Sequence, residues 1–296
     1  MRTIIVGLGN QGKKHRDIID NDLVGIVDPI YPLALDSIKD ASLDHYDAAI
    51  VCTPNQEKQE IIKYLLSNKK HVMVEKPLIG TAVELEILRQ LQIKNEVALQ
   101  TAYCYRFEPL VIKLKELIDN GILGEIYLVR IFLGNGTAIN VKNSPWRDRS
   151  RGVLEEISSH QFDLVNYLFD RKDITFPYIV AGMLENKAFD HVILHSEGLP
   201  HISIESTYCY WKNTFTIDVT GELGSAHVNG LLKWGWSHLT TRKRIFPSGV
   251  PEEQYYFLDS PDPTLTLQYE HFKELCKTGG TNIETDIWIN NIFNEV

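Results

Sequence analysis

Three residues have types and spacings suited to moving a proton: Lys76, His160 and Asp163. Lys76 lies in Glu75-Lys76-Pro77, directly after the apolar run His71-Val72-Met73-Val74. A lysine at a strand end can hydrogen-bond a substrate hydroxyl, and its pKa shifts readily when partly buried. His160 and Asp163 are three positions apart in Ser159-His160-Gln161-Phe162-Asp163, so on a helix they share one face. Imidazole titrates near neutrality and can take the proton of an alcohol. The pair also reads as a helix-face salt bridge or half a metal site, but no third ligand stands out and no metal is expected.

A second constellation would hold a nucleotide. Thr3-Ile4-Ile5-Val6 leads into Gly7-Leu8-Gly9-Asn10-Gln11-Gly12, and a helical segment follows at once. In a dinucleotide turn the first glycine permits the tight bend, the second admits the pyrophosphate, and the third lets helix and strand pack closely. The helix N-terminus then offers free N–H groups to the phosphates. Asp28 closes the second strand about twenty residues on, where a carboxylate accepts hydrogen bonds from ribose hydroxyls. That carboxylate would repel a 2'-phosphate and no basic residue follows it closely, so NAD is expected rather than NADP. The alternatives are a plain structural turn at the glycines and, for Asp28, a turn former before Pro29. Thr53-Pro54-Asn55 and Glu75-Lys76 end the third and fourth long strands, on the side of an α/β sheet where ligands bind. The cofactor set is therefore Gly7, Gly9, Asn10, Gln11, Gly12, Asp28, Thr53, Pro54, Asn55, Glu75 and Lys76.

The elements that must position these residues fall into two textures. Strands are expected at 3–6, 24–27, 48–52, 71–74 and 97–100, alternating with helices at 11–20, 56–67 and 82–94. This alternation argues for a doubly wound parallel sheet. Between Asp28 and Ala48 the chain is too short for a full helix, strand and helix, so that side of the sheet is expected to be trimmed. After Tyr103 a helix at 110–120 stops at Gly121. Strands then dominate, at 126–133, 178–184, 201–211, 214–219 and 225–228, with helices at 159–169 and 267–278. This half reads as a mostly antiparallel sheet with helices against it.

Composition narrows the partners. The 296 residues are 44% hydrophobic and 23% charged with a formal charge of −9, an ordinary folded protein ill suited to nucleic acid or an anionic membrane. No apolar run spans a bilayer and Met1-Arg2 enters a strand directly, so a cytoplasmic protein is expected. Cys52, Cys104, Cys209 and Cys276 are scattered and read as buried thiols.

Taken in order, GLGNQGKKH, Asp28, TPN at 53–55, EKP at 75–77, YRFEP at 105–109, WRDRSRGVLEEISSHQFD, TGELG at 220–224 and Tyr269-Glu270-His271-Phe272 resemble the glucose-fructose oxidoreductase, inositol dehydrogenase and MocA family. The resemblance implies an α/β N-terminal Rossmann domain (1–101) and an α+β C-terminal domain (102–296). The latter would carry a large, mostly antiparallel open-faced sheet for substrate binding and oligomerisation, in a dimer or tetramer. It also implies NAD(P)-dependent chemistry on sugars, cyclitols or nucleotide sugars, with Lys76, His160 and Asp163 at the reacting carbon. Tyr105, Arg106, Trp146 and Arg147 join those three as substrate-binding candidates. Arg149, Arg151 and Lys142 could flank the same pocket or form a solvated basic loop, and Arg242-Lys243-Arg244 reads as surface. Ser158 and Glu156 stand where relatives usually carry glycine and aspartate, and Lys58 replaces a histidine that often follows TPN, which puts sugar identity in doubt. A non-enzymatic dinucleotide sensor and a reductase of non-sugar carbonyl or unsaturated compounds remain as rival readings.

Overall fold

The computed structural model describes all 296 residues and divides them into two compact units, 1–104 with 264–291, and 105–263 with 292–296. In the first, β1 (Thr3–Val6), α1 (Asn10–Ile19), β2 (Leu23–Val27), β3 (Ala48–Val51), α2 (Asn55–Ser67), β4 (His71–Glu75), α3 (Ala82–Asn95) and β5 (Leu99–Ala102) follow in chain order. The strands form a parallel five-stranded sheet in the order β2-β1-β3-β4-β5. Its strands are apolar on both faces because helices cover both. Ile4, Val6, Ala49, Val51, Val72 and Val74 meet Ile62, Leu65 and Leu85 on one side, while Ile5, Ile50 and Met73 face the other. The stretch between β2 and β3 holds two single-turn 3-10 segments, 38–40 and 43–45, so the short side of the sheet is trimmed as its length demands. The fifth strand begins two residues later than expected, and just before it the Ala98 N–H is taken by His71 Nδ1 at 2.9 Å.

The second unit begins with α4 (Pro109–Asp119), β6 (Ile126–Gly134), α5 (Ala138–Lys142), α6 (Val153–Glu156) and α7 (Ser158–Phe169). It continues through β7 (Tyr178–Gly182), β8 (His191–His195), β9 (His201–Thr207), β10 (Thr214–Gly221), β11 (Gly224–Asn229), β12 (Ser237–Lys243) and β13 (Glu253–Leu258). The eight strands form one sheet, β13-β12-β11-β10-β6-β9-β8-β7, antiparallel except where β6 meets β9. Strict alternation sorts its faces. Ile202, Ile204, Phe215, Ile217 and Val219 are all buried in the unit's own core. The opposite face carries Thr216, Asn229, His238 and Phe257 in one cross-strand row. Tyr178, Val180, Leu128, Tyr255 and Phe257 are its exposed apolar residues.

The last helices, α8 (Thr264–Thr278) and α9 (Ile283–Glu295), correct the expectation that 102–296 is one continuous domain. Residues 264–291 belong to the first unit because α8 packs Tyr269 and Phe272 against Ile5 and Ile50. The Tyr269 hydroxyl also donates to Asp22 at 2.8 Å, and Asp286 accepts from the hydroxyls of Thr101 (2.8 Å) and Tyr103 (2.9 Å).

Candidate active site

In the first unit the glycine turn has the shape its spacing demands. Gly7 has φ +91°, a conformation side chains resist, and a Cβ there would lie 3.0 Å from the carbonyl of Cys52. At Gly12 a Cβ would fall 2.1 Å from the Gly7 oxygen, so α1 approaches the turn only because this position is bare. Gly9 is the N-cap of α1, supplies no side-chain cap, and a Cβ there would meet nothing within 4 Å. Asn10 and Gln11 are the first, exposed helical residues. The helix therefore presents its N–H groups to open space, as a phosphate requires.

Around that turn the other cofactor candidates divide into groups already hydrogen-bonded and one that is not. The Asp28 carboxylate accepts from the backbone N–H groups of Leu8 (2.7 Å), Ile30 (2.8 Å) and Tyr31 (3.2 Å). Burial pushes its pKa up, but those three donors outweigh it and hold the carboxyl below its usual range. The turn-forming and ribose-binding readings are thus compatible, since a carboxylate has about four acceptor positions. Thr53 Oγ1 is buried without a hydrogen-bond partner, while Pro54 and Asn55 start α2. An open uncapped helix end beside an orphaned hydroxyl fits a dinucleotide.

Glu75 ends β4, and its carboxylate and its backbone carbonyl are each held by a neighbouring helix residue. His15, fully buried on α1, meets its Oε1 at 2.7 Å through Nε2. The Lys58 ammonium donates to the Glu75 carbonyl at 2.5 Å and to the Pro77 carbonyl at 2.9 Å. Burial opposes ionisation of Glu75, yet His15, Lys76 and Lys58 together hold its pKa below the usual carboxylate range. Lys76 itself is half-buried. The glycine turn and strand ends do not point to His15 or Lys58; both are polar residues on otherwise apolar helix stripes, which is the signal that finds them.

The second unit gathers its candidates on α7 and the segment before α4. His160, 6% exposed, stacks on Tyr105 with ring centroids 3.9 Å apart and 7° between planes. Lys233 donates to the Tyr105 hydroxyl at 2.6 Å and lies 4.3 Å from the centre of the same ring. Nothing in the spacing of Gly230-Leu231-Leu232-Lys233 pointed to it. Its 3-10 turn is anchored by Glu108, whose Oε1 accepts the Leu232 N–H at 3.0 Å and whose pKa burial drives up to about 7.

Asp163 takes Arg106 as its partner: Arg106 Nε donates to one oxygen at 3.0 Å and Nη2 to the other. Burial lifts the Asp163 pKa despite this guanidinium. Arg147 likewise forks onto Glu156, with Nε 2.7 Å from Oε1, and the Tyr208 hydroxyl donates to the same carboxylate at 2.8 Å. Both arginines expected at the substrate are thus committed to carboxylates, and Trp146 is 53% exposed. Ser158, in place of a glycine, bonds the Ser206 hydroxyl at 2.8 Å, while Gln161 donates to the carbonyls of Ile131 (3.0 Å) and Glu205 (2.9 Å). These bonds fasten α7 to the sheet and set the direction of His160.

Comparison with known proteins agrees with both units. Residues 1–103 match the oxidoreductase family with an NAD-binding Rossmann fold, and residues 111–227 match the GFO/IDH/MocA C-terminal domain. The chain belongs to this GFO/IDH/MocA oxidoreductase family, and its first unit is an NAD-binding Rossmann domain. It is similar to the glucose-6-phosphate 3-dehydrogenase of Bacillus subtilis (28% identity, 58% of this chain and 54% of that protein). It is also similar to the inositol 2-dehydrogenase of Rhizobium meliloti (23% identity, 63% and 60%). The chain thus spans between about half and three-fifths of the length of these curated relatives. Levoglucosan dehydrogenase, solved in complex with NADH, shares the fold with a TM-score of 0.82 at 19% identity, over 99% of this chain and 95% of that one.

Proposed function

We propose that the protein is an NAD-dependent oxidoreductase that moves a hydride between nicotinamide and a secondary alcohol or keto carbon of a sugar, cyclitol or nucleotide sugar. The observation that carries this reading is His160: an almost buried imidazole, flat on Tyr105 and one helical turn from the Arg106–Asp163 pair. Family membership supplies the chemical class, and the dehydrogenases named above are its sugar-active and cyclitol-active relatives.

The glycine turn at Gly7, Gly9 and Gly12, with Asp28, would hold NAD, which would supply a nicotinamide acceptor for the hydride of a carbinol carbon. His160 takes the hydroxyl proton as the C–H bond breaks, so the carbonyl forms without a free alkoxide. In the first unit, Lys76 at the end of β4 is the candidate donor of a hydrogen bond to a substrate hydroxyl. Asp163 acts through Arg106 as a positioning residue. Tyr105, Arg106, Trp146 and Arg147 line the substrate side, with Arg106 and Arg147 shaping it as ion pairs. Asp28 favours NAD over NADP by the repulsion its carboxylate offers to a 2'-phosphate.

No helix is long and apolar enough to cross a membrane. A cytoplasmic location is supported by four unbridged cysteines. Assembly as a homo-oligomer is supported by Tyr178, Val180, Leu128, Tyr255 and Phe257, exposed on the outer sheet face.

Steady-state reduction of NAD with a panel of sugars, cyclitols and nucleotide sugars tests the reading, with cofactor binding measured in parallel. His160→Ala and Lys76→Ala should each lower turnover by roughly 10²- to 10⁴-fold, and His160→Ala should leave NAD affinity nearly unchanged. Full activity in both variants would remove the mechanism. Tight NAD binding with no substrate in the panel oxidised would favour a dinucleotide sensor.

A further inference from the structure

We propose that Lys58 is a positioning residue for Lys76, its ammonium clamping the two backbone carbonyls that flank that lysine. This rests on the reading of Lys76 as a substrate-contacting group. Lys58 lies on α2 at a buried position in line with Ile62 and Leu65, where the helix pattern calls for an apolar residue. Its side chain instead carries a charge into the interior at 3% exposure. Its Nζ reaches the carbonyl before Lys76 at 2.5 Å and the carbonyl after the adjoining proline at 2.9 Å.

One ammonium can hold both carbonyls because it has three N–H donors. A neutral imidazole at the same place would have one, and could hold only one of them at a time. Charge-assisted bonds are roughly twice as strong as neutral ones, which suits a clamp on a turn that must keep Lys76 in register. A misplacement of about 1 Å at a reacting group can cost about a hundredfold in rate.

The clamp carries its own pH range. Burial drives the Lys58 pKa down to about 8, and Lys76 pushes it the same way, while Glu75, Cys52 and Asp286 pull it back up. His15 stands on the other side of Glu75. Above about pH 8 the amine loses its charge and one of its donors, and the clamp weakens. Turnover should therefore fall as pH rises through that value.

The test variant is Lys58→Met, which keeps length and apolar stem but removes every donor. In the protein without cofactor, amide hydrogen exchange over residues 74–80 should speed up about tenfold, a loss of roughly 1.4 kcal/mol of local protection. With a sugar substrate, kcat should drop about 10- to 100-fold, and the fall of turnover above about pH 8 should vanish. Lys58→Arg, which keeps charge and donors, should recover most of the exchange protection. Unchanged exchange in Lys58→Met, or a limb near pH 8 that persists in it, would overturn the proposal. If Lys58→Met does not fold, nitrogen-labelled lysine in the unaltered protein decides. An Nζ–H resonance protected from solvent below pH 8 supports the clamp, and a freely exchanging one overturns it. Faster exchange in Lys58→Met with no sugar oxidised by the unaltered protein would keep the clamp and sink only the assignment of function.

Discussion

Each unit buries one carboxylate among its candidate site residues, and the two respond to burial in opposite ways. Glu75, in the first unit, stays below the usual carboxylate range because His15, Lys58 and Lys76 converge on it. Asp163, in the second, rises above that range although Arg106 forks onto both its oxygens. Desolvation is the largest influence on each. The groups that oppose it differ: one guanidinium at Asp163 does not offset burial, whereas the His15 hydrogen bond together with the Lys58 and Lys76 ammonium groups does so at Glu75.

The sharpest way to break that comparison is to take the single cation from Asp163. Arg106→Met leaves a buried carboxylate unpaired and should cost about 3–5 kcal/mol in urea unfolding at pH 7. A loss under about 1 kcal/mol would mean that Asp163 already carries a proton in the folded protein.

The pH dependence of stability separates the two carboxylates by sign. Glu75 has a folded pKa below its unfolded one, so its contribution is complete above about pH 4.5 and is lost as pH falls through the folded value. Asp163 is the reverse: its contribution is present below about pH 3.8 and is lost as pH rises through its raised folded pKa. Unfolding free energy measured from pH 3 to 7 should therefore climb less steeply in Glu75→Gln and more steeply in Asp163→Asn. Equal slopes in both variants would erase the distinction.

A smaller effect is expected where partners are redundant. His15→Leu removes one of the groups around Glu75 but leaves Lys58 and Lys76, so it should cost about 1–2 kcal/mol, well short of Arg106→Met. A loss as large as that of Arg106→Met would show that His15 alone sustains the charge. The smallest change is expected at Gly9, beside both the turn and α1 but touching neither carboxylate. Gly9→Ala should shift stability by less than about 0.5 kcal/mol, because its φ of −68° suits alanine and the added Cβ meets nothing. Calorimetric titration should nonetheless show weaker NAD binding if that open space at the helix end admits the phosphates as proposed.

The sequence alone determined the parallel half almost completely. Its five strands are short apolar runs punctuated by glycine, proline and helix stops, signals that are local and need no partner to be read. The glycine turn, Asp28, Thr53, Glu75 and Lys76 could be placed because each sits at a strand end, a position that the alternation itself defines. The outer strands of the second sheet escaped that reading: β12, Ser-His-Leu-Thr-Thr-Arg-Lys, and β13, Glu-Gln-Tyr-Tyr-Phe-Leu, lack a clean alternation of apolar and polar residues. Their identity as strands comes from the ladder beside them. The helix α9 was missed as well, and Tyr269 and Asp286 show why: what binds 264–291 to the first unit is contact across more than 180 positions of chain. Only tertiary structure could decide which acceptor each cation would meet. Lys58, Arg106, Arg147 and Lys233 are, in sequence, four bases among many. Their partners lie 17, 57, 9 and 128 positions away, and such pairings are set by packing, to which no local pattern points.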